Sequence, residues 1–183
     1  MTRIAPIDLV TAPEQVRSTL SAVKAQVGMV PNLYATFAQS PATLDGFLAF
    51  NGALAKGSLT ARQREIVALA VAQANGCHYC LSAHSYLGKH AGLSPEEIRD
   101  AREGRGAASA DNAIASFASR VVETRGQIAT ADIATARDAG LNDGQLIEVI
   151  AHVALNILTN YTNNVAQTEI DFPEVELELT AAA

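Results

Sequence analysis

The sequence predicts an all-α domain, and three observations carry that reading. Alanine, the strongest helix former, supplies about a fifth of the 183 residues. Aromatics are sparse, with five Phe, four Tyr and no Trp, whereas β-rich domains favour branched and aromatic side chains. Helix punctuation recurs along the chain: Ser, Thr or Asn stands before Pro, or three residues ahead of Glu or Gln. Apolar residues make up 49% against 17% charged, enough for one domain over residues 1–183 to bury a core without disulfides.

The elements follow in order. Thr11 with Pro13 and Glu14 predicts a capped first helix ending near Gly28. Pro31 and Pro41 bracket a short segment from Asn32 to Gln39, and Ser40-Pro41 opens a helix towards Lys56 and Gly57. Thr60 and Gln63 form a second capping box for a helix that stops at Asn75-Gly76, and a new helix begins at Cys77 and runs to Lys89 or His90, where His90 serves only the helix end. Ser94-Pro95-Glu96-Glu97 starts a short helix that ends near Gly104, and a small-residue linker follows to Ala110. Further helices are expected from Asp111 to Arg125, from Ala131 to Ala139, and from Asp143 to Glu169 with Asn142 as cap and Gln145 opposite it. Residues 171–183 read as a C-terminal arm or tail: Phe172 to Leu179 alternates in polarity, as an extended arm or short strand would, and Thr180 to Ala183 is expected to fray.

Charge narrows the partners. Thirteen Lys and Arg against nineteen Asp and Glu leave a net −6, with no basic stripe to meet nucleic-acid phosphates. Two uncharged runs, Ile66 to Gly88 and Val149 to Thr168, approach membrane-spanning length, but His and Asn residues interrupt both, so no membrane partner is expected. The first residues lack the charged and apolar segments of a secretory signal, which favours the cytoplasm and reduced cysteines.

Chemistry concentrates at Glu65, Cys77, Cys80 and His84. Cys77 and Cys80 are three apart and Cys80 and His84 four apart, so on one helix all three share a face, with both sulfurs near its start. A disulfide between the cysteines is feasible there. The unpaired amides of the helix start stabilise a thiolate, and His84 can take or return the Cys80 proton. Other readings stand beside this one. Paired cysteines can be small buried hydrophobes, or Cys77, Cys80, His84 and Glu65 can be four zinc ligands, although structural zinc sites usually draw on two separate loops. A thioredoxin fold would need strands alternating with helices, and none surrounds the motif. Glu65 opens an uncharged run, where partial burial would raise its pKa enough to shuttle protons near neutrality.

Glu65, eleven residues, Cys77-x-x-Cys80, three residues, His84 resembles the AhpD-like alkylhydroperoxidase branch of the carboxymuconolactone decarboxylase superfamily. Val30-Pro31-Asn32-Leu33, Leu59 to Glu65 and Asn160-Tyr161-x-Asn163-Asn164 extend the resemblance towards its peroxidase-related members over most of the chain. The resemblance implies an AhpD-like multi-helix bundle assembled as a homo-oligomer, commonly a trimer or hexamer. It also implies a cysteine peroxidase acting on an organic hydroperoxide or hydrogen peroxide, with electrons from a dithiol reductant such as a lipoylated protein. Carried over by position, Cys80 attacks the peroxide, Cys77 resolves, and Glu65 and His84 relay the proton. The cycle runs from a Cys80 sulfenic acid to a Cys77–Cys80 disulfide to exchange with the donor, and requires no metal or organic cofactor.

One position departs from the family pattern. In the best-studied branch a histidine directly precedes the attacking cysteine, whereas Tyr79 stands there in this chain, and His78, about 100° away around the helix, is expected at solvent or an interface. The helix dipole favours Cys77 as nucleophile, since it lies nearer the helix start, but the neighbouring base His84 favours Cys80, as the resemblance does. In the last helix His152, Asn156, Asn160, Asn163 and Asn164 form a polar ridge, read as an oligomer-interface or helix-packing hydrogen-bond network. Two other functions remain open: a lyase resembling the decarboxylase branch, which would survive Cys80→Ser, and a non-enzymatic redox-sensing or zinc-binding module.

Overall fold

A computed structural model describes residues 1–179, and the expected fraying of 180–183 lies outside the described residues. Nine helices and no strand make up the described chain: α1 (Glu14–Val27), α2 (Asn32–Phe37), α3 (Pro41–Leu54), α4 (Ala61–Ala74), α5 (His78–His90), α6 (Pro95–Arg102), α7 (Ser109–Glu123), α8 (Thr130–Asp138) and α9 (Asp143–Ala166). The capping boxes at Thr60, Ser94 and Asn142 form as their spacing requires. The box expected at Thr11 does not form. The Thr11 hydroxyl and amide both turn back onto the Asp8 carbonyl, and Pro13 precedes α1 without a side-chain cap. Helix α9 ends at Ala166 rather than Glu169, because Gln167 turns left-handed with φ 51° and its amide closes on Asn163.

Helix α4 is the centre of the bundle. Seven consecutive residues, Ile66 to Ala72, are buried, the pattern of a helix surrounded on all sides. It packs on α5, α6, α7 and α9, while α2 and α3 close on α9 from the other side. Arg62, near its start, pairs with Glu97 at the head of α6 and with Asp111 of α7. The 24 residues of α9 span about 36 Å, long enough to run past α4, α5 and α7 together.

The α4–α5 junction sets the cysteines. Gly76 takes φ +59°, a left-handed conformation that a side chain would strain. Its amide bonds the Gln73 carbonyl at 3.1 Å and the Cys77 amide bonds Ala72 at 2.9 Å, the paired bonds of a Schellman ending. Cys77 therefore closes α4 and, as N-cap of α5, accepts the Cys80 amide on its sulfur at 3.3 Å. Both ends of this residue's backbone are held by helices, which leaves the first cysteine little freedom.

Residues 171–179 form no strand but lie as an extended strap over α5. Asp171 accepts the Asn32 amide at 2.7 Å, the Val175 amide donates to Ser82, and Gln73 and Arg102 both donate to the Leu177 carbonyl. No helix among the described residues is long and apolar enough to cross a membrane.

Candidate active site

Both cysteines are free thiols buried at the start of α5, Cys77 at 0% and Cys80 at 2% exposure. They differ in what they face. Cys80 lines a cavity of about 260 Å³ enclosed by α2, α3, α4, α5, α9 and the strap, whereas Cys77 stays behind it in the core. From α4, Glu65 reaches across to α5, where His84 donates its Nδ1 proton to the Glu65 carboxylate at 2.8 Å; a carboxylate can only accept, so the other ring nitrogen is left free to exchange. Glu65 and His84 line the same cavity as Cys80, so three of the four residues singled out by spacing meet there and the fourth stands one turn away.

The two thiols are driven apart in acidity. Burial alone would raise Cys80, but hydrogen bonding from the Cys77 thiol, the His84 charge, and the amides of Asn163 and Asn160 outweigh it and bring it down to about 7. Cys77 goes well above the thiol range, because its proton is engaged by Cys80 and burial and the Cys80 charge then oppose ionisation. At Cys77 the hydrogen bond of its proton to Cys80, its burial and the Cys80 charge all act against the helix dipole. Burial pulls the His84 imidazole down, but the charge and hydrogen bond of Glu65 carry it above its ordinary value.

Several residues beyond the four join the site. The Asn163 side-chain amide donates to the Cys80 sulfur at 3.3 Å. The polar ridge of α9 therefore serves the thiol and the packing of α9 on the α4–α5 junction, where Asn75 donates to Asn160 and accepts from Asn164. His152 and Asn156, from the same ridge, stand on the cavity wall. The ridge was visible as polar residues recurring at helical spacing in an apolar helix; its partner was not. Tyr34, Phe47, Arg64 and Phe172 also line the cavity, each a single side chain from a different element, and no local spacing marks them.

His78 departs from expectation. It is half-buried under the strap, its Nε2 2.7 Å from the Val175 carbonyl, because the strap crosses the α5 face that would otherwise meet solvent. Tyr79, in the place of the family's second histidine, is buried; its hydroxyl accepts the Leu33 amide at 3.3 Å and its ring stands edge-on to Phe172 at 5.8 Å. Burial and the nearby Asp171 carboxylate push its ionisation far above the phenol range, so it forms a wall and does not exchange protons near neutrality. Among the described residues, no three His, Cys, Asp or Glu side chains converge so as to hold a metal ion.

Fold and site together define an all-helical domain built around a buried, acidity-differentiated dithiol that opens on one small cavity. The carboxymuconolactone decarboxylase family model matches residues 41–124, from the start of α3 through α7, a stretch that contains Glu65, both cysteines and His84. Among solved structures, the chain is similar to the alkylhydroperoxidase AhpD core of an uncharacterized peroxidase-related protein from Ralstonia eutropha JMP134, 25% identical over 93% of this chain and 92% of that one, with TM-score 0.84. A peroxidase-related protein from Silicibacter sp. TM1040 shares the fold at 21% identity and TM-score 0.78 over 91% of each chain. The debrominase Bmp8 shares it at 19% identity and TM-score 0.78 over 93% of each. No curated protein matches. The family match thus covers the segment that holds the motif, and over nearly the whole chain the fold is similar to that of the AhpD-like peroxidase-related protein.

Proposed function

We propose that the protein is a cysteine-based alkylhydroperoxide reductase of antioxidant defence, with Cys80 attacking, Cys77 resolving and Glu65–His84 moving the proton. The carrying observation is that Cys80 alone of the pair lines the cavity, held near neutrality by the Cys77 thiol, the His84 charge and the Asn163 amide, with the Glu65–His84 pair on the same wall. The Cys80 thiolate attacks the peroxide, its sulfur takes one oxygen as sulfenic acid, and the alkoxide leaves as alcohol with a proton delivered through His84. Cys77 then displaces water to form the disulfide, and an external dithiol, a lipoylated protein in our reading, returns it to two thiols by exchange. The balance is one hydroperoxide and one dithiol in, one alcohol, one water and one disulfide out.

Assembly into a homo-oligomer, a trimer or hexamer, belongs to the proposal. Ile147, Ile150, Leu158, Tyr161 and Val165 stand exposed along α9, apolar area that a second copy would cover. A cytoplasmic setting, which keeps the thiols reduced, is the expected compartment.

The deciding experiment follows tert-butyl hydroperoxide and hydrogen peroxide consumption with dihydrolipoamide in wild type, Cys77→Ser and Cys80→Ser, counting free thiols before and after. Turnover lost in Cys80→Ser, two thiols consumed in the wild type and a sulfenic acid trapped in Cys77→Ser are the expected results. Inert thiols without turnover refute the assignment. A second reading draws on the aromatic cavity walls Tyr34, Phe47 and Phe172: a thiol beneath them also suits reductive loss of halide from a bromoaromatic, with the dithiol again supplying two electrons. A cysteine-to-alanine variant of the debrominase Bmp8, similar in fold only, was solved with 2,3,4-tribromopyrrole. Bromide release from that compound, without peroxide turnover, would select this reading. A lyase reaction that persists in Cys80→Ser would replace both.

A further inference from the structure

The cavity contains more polarity than peroxide reduction uses. Besides Cys80, Glu65 and His84, its wall includes Arg64, Tyr34 and His152. Among the described residues, these three side chains make one hydrogen bond, from the Arg64 guanidinium to the Leu59 carbonyl at 2.7 Å. That carbonyl is itself fixed, since Glu148 accepts the Ser58 and Leu59 amides at 2.8 Å and 3.2 Å, so Arg64 is held in place while most of its donors remain free. No Asp or Glu among the described residues pairs with it, and the one carboxylate on the cavity wall, Glu65, is occupied by His84. His152 is 4% exposed, and its Nε2 is buried without a partner. Burial and the Arg64 charge keep its imidazole neutral, so it adds a donor without a second cation. Asn51, Asn156 and Thr159 add neutral polar groups, and most of the remaining wall is apolar, with Phe47, Leu155 and Phe172 among it.

A guanidinium without a carboxylate partner, on the same wall as two further donors in a largely apolar cavity, matches a ligand with one anionic, oxygen-rich end and an apolar body. A planar carboxylate meets a guanidinium with two parallel hydrogen bonds, and outside bulk water such a contact gains strength. We propose that Arg64, with Tyr34 and His152, forms a carboxylate subsite, so that the substrates of the Cys80 centre are compact amphipathic carboxylic acids. This rests on the peroxidase reading only for what happens at Cys80: there the ligand would be the hydroperoxide of such an acid, its carboxylate held by Arg64 and its peroxide at the sulfur. Arg64 is then a specificity-determining residue, one that positions the substrate without touching the reacting oxygen atoms.

Protection of Cys80 from alkylation tests the subsite without any turnover. The reduced protein is treated with iodoacetamide in the presence of octanoate or 4-phenylbutanoate, each compared with its primary amide, which has nearly the same shape and no charge. In wild type the acids are expected to protect at concentrations at least about tenfold lower than the amides, the discrimination one charge-assisted pair supplies. Arg64→Gln should collapse that ratio to about one, and Arg64→Lys should keep part of it, because a point charge remains where the planar fork is lost. Each ratio is internal to one protein, so any change in basal thiol reactivity cancels, and a thermal melt of each variant establishes that it is folded. Equal protection by acid and amide, no protection by either, or a ratio that survives Arg64→Gln overturns the subsite. Acid-selective protection without peroxide turnover would keep the subsite and remove the peroxidase reading; peroxide turnover without acid selectivity would do the reverse.

Discussion

Replacing Asn163 with alanine removes the amide that donates to the Cys80 sulfur at 3.3 Å, and the consequence can be worked in magnitude. An ordinary thiol titrates near 8.5 and is only about 3% ionised at pH 7, whereas Cys80 at about 7 is half ionised. The difference is about 2 kcal/mol of preference for the thiolate, gained although burial pushes the other way. A hydrogen bond to a charged group contributes roughly 1.5–3 kcal/mol, so its loss should move the Cys80 midpoint up by about 1–2 pH units, to between about 8 and 9. The assay is the pH dependence of Cys80 alkylation by iodoacetamide in the reduced protein, with the modified residue identified by mass. The midpoint is the readout rather than the rate at one pH, because a thiolate of higher pKa is also intrinsically more nucleophilic and partly masks the loss. Asn163→Asp should shift the midpoint further in the same direction, since a carboxylate repels the thiolate that the amide supports. A midpoint that stays near 7 in folded Asn163→Ala would refute the idea that the amide holds the thiolate.

The other expectations are more compact. Glu65→Gln should lower peroxide kcat/KM by about 10²-fold or more if the pair relays the proton, and should raise the Cys80 midpoint as the His84 charge is lost. The same pair has a signature in stability. Its folded-state histidine pKa is raised, so its stabilisation is complete below the ordinary value of about 6.5 and is lost as pH rises through the raised value. Melting of the Cys77→Ser/Cys80→Ser protein should therefore fall with rising pH, and adding Glu65→Gln should flatten that slope. The serine background is needed because Cys80 contributes the opposite sign, a stabilisation present above about 8.5 and lost as pH falls through about 7. Leu81→Ala, fully buried beside Cys80, should cost about 2–5 kcal/mol and lower Tm by about 4–20 °C in calorimetry. Arg102→Ala removes bonds at 2.7 Å and 3.0 Å to the strap carbonyls of Glu176 and Leu177, so cleavage at Glu174 or Glu176 by a glutamyl protease should accelerate on the order of tenfold, and an unchanged rate would show that the strap is held elsewhere.

Much of this molecule was legible in one dimension because its helices are specified locally. Thr60 and Gln63, Ser94 and Glu97, and Asn142 and Gln145 each satisfy the free amides of a helix start within four residues, so spacing alone locates the start. The same holds for Cys77, Cys80 and His84, whose common face follows from the pitch of a single helix. Glu65 required more: its place on α4 could be read, but its contact with His84 depends on how α4 and α5 pack, and only the motif's resemblance to a known family anticipated it. Thr11 failed as a cap because a competing turn at Asp8 offered its hydroxyl a nearer acceptor.

What the tertiary structure alone decided are the encounters between residues far apart in the chain. Asn163 meets Cys80 across 83 positions and the strap meets His78 across 97, and no periodicity encodes either distance. The cavity draws Tyr34, Phe47, Arg64, Cys80, His152 and Phe172 from six segments, so which sulfur faces the substrate, and which charge waits beside it, follows from packing rather than from local order. Helix propensity and capping act over a few residues and are written in short words; burial, acidity and access are set by whatever the rest of the fold brings within a few ångströms.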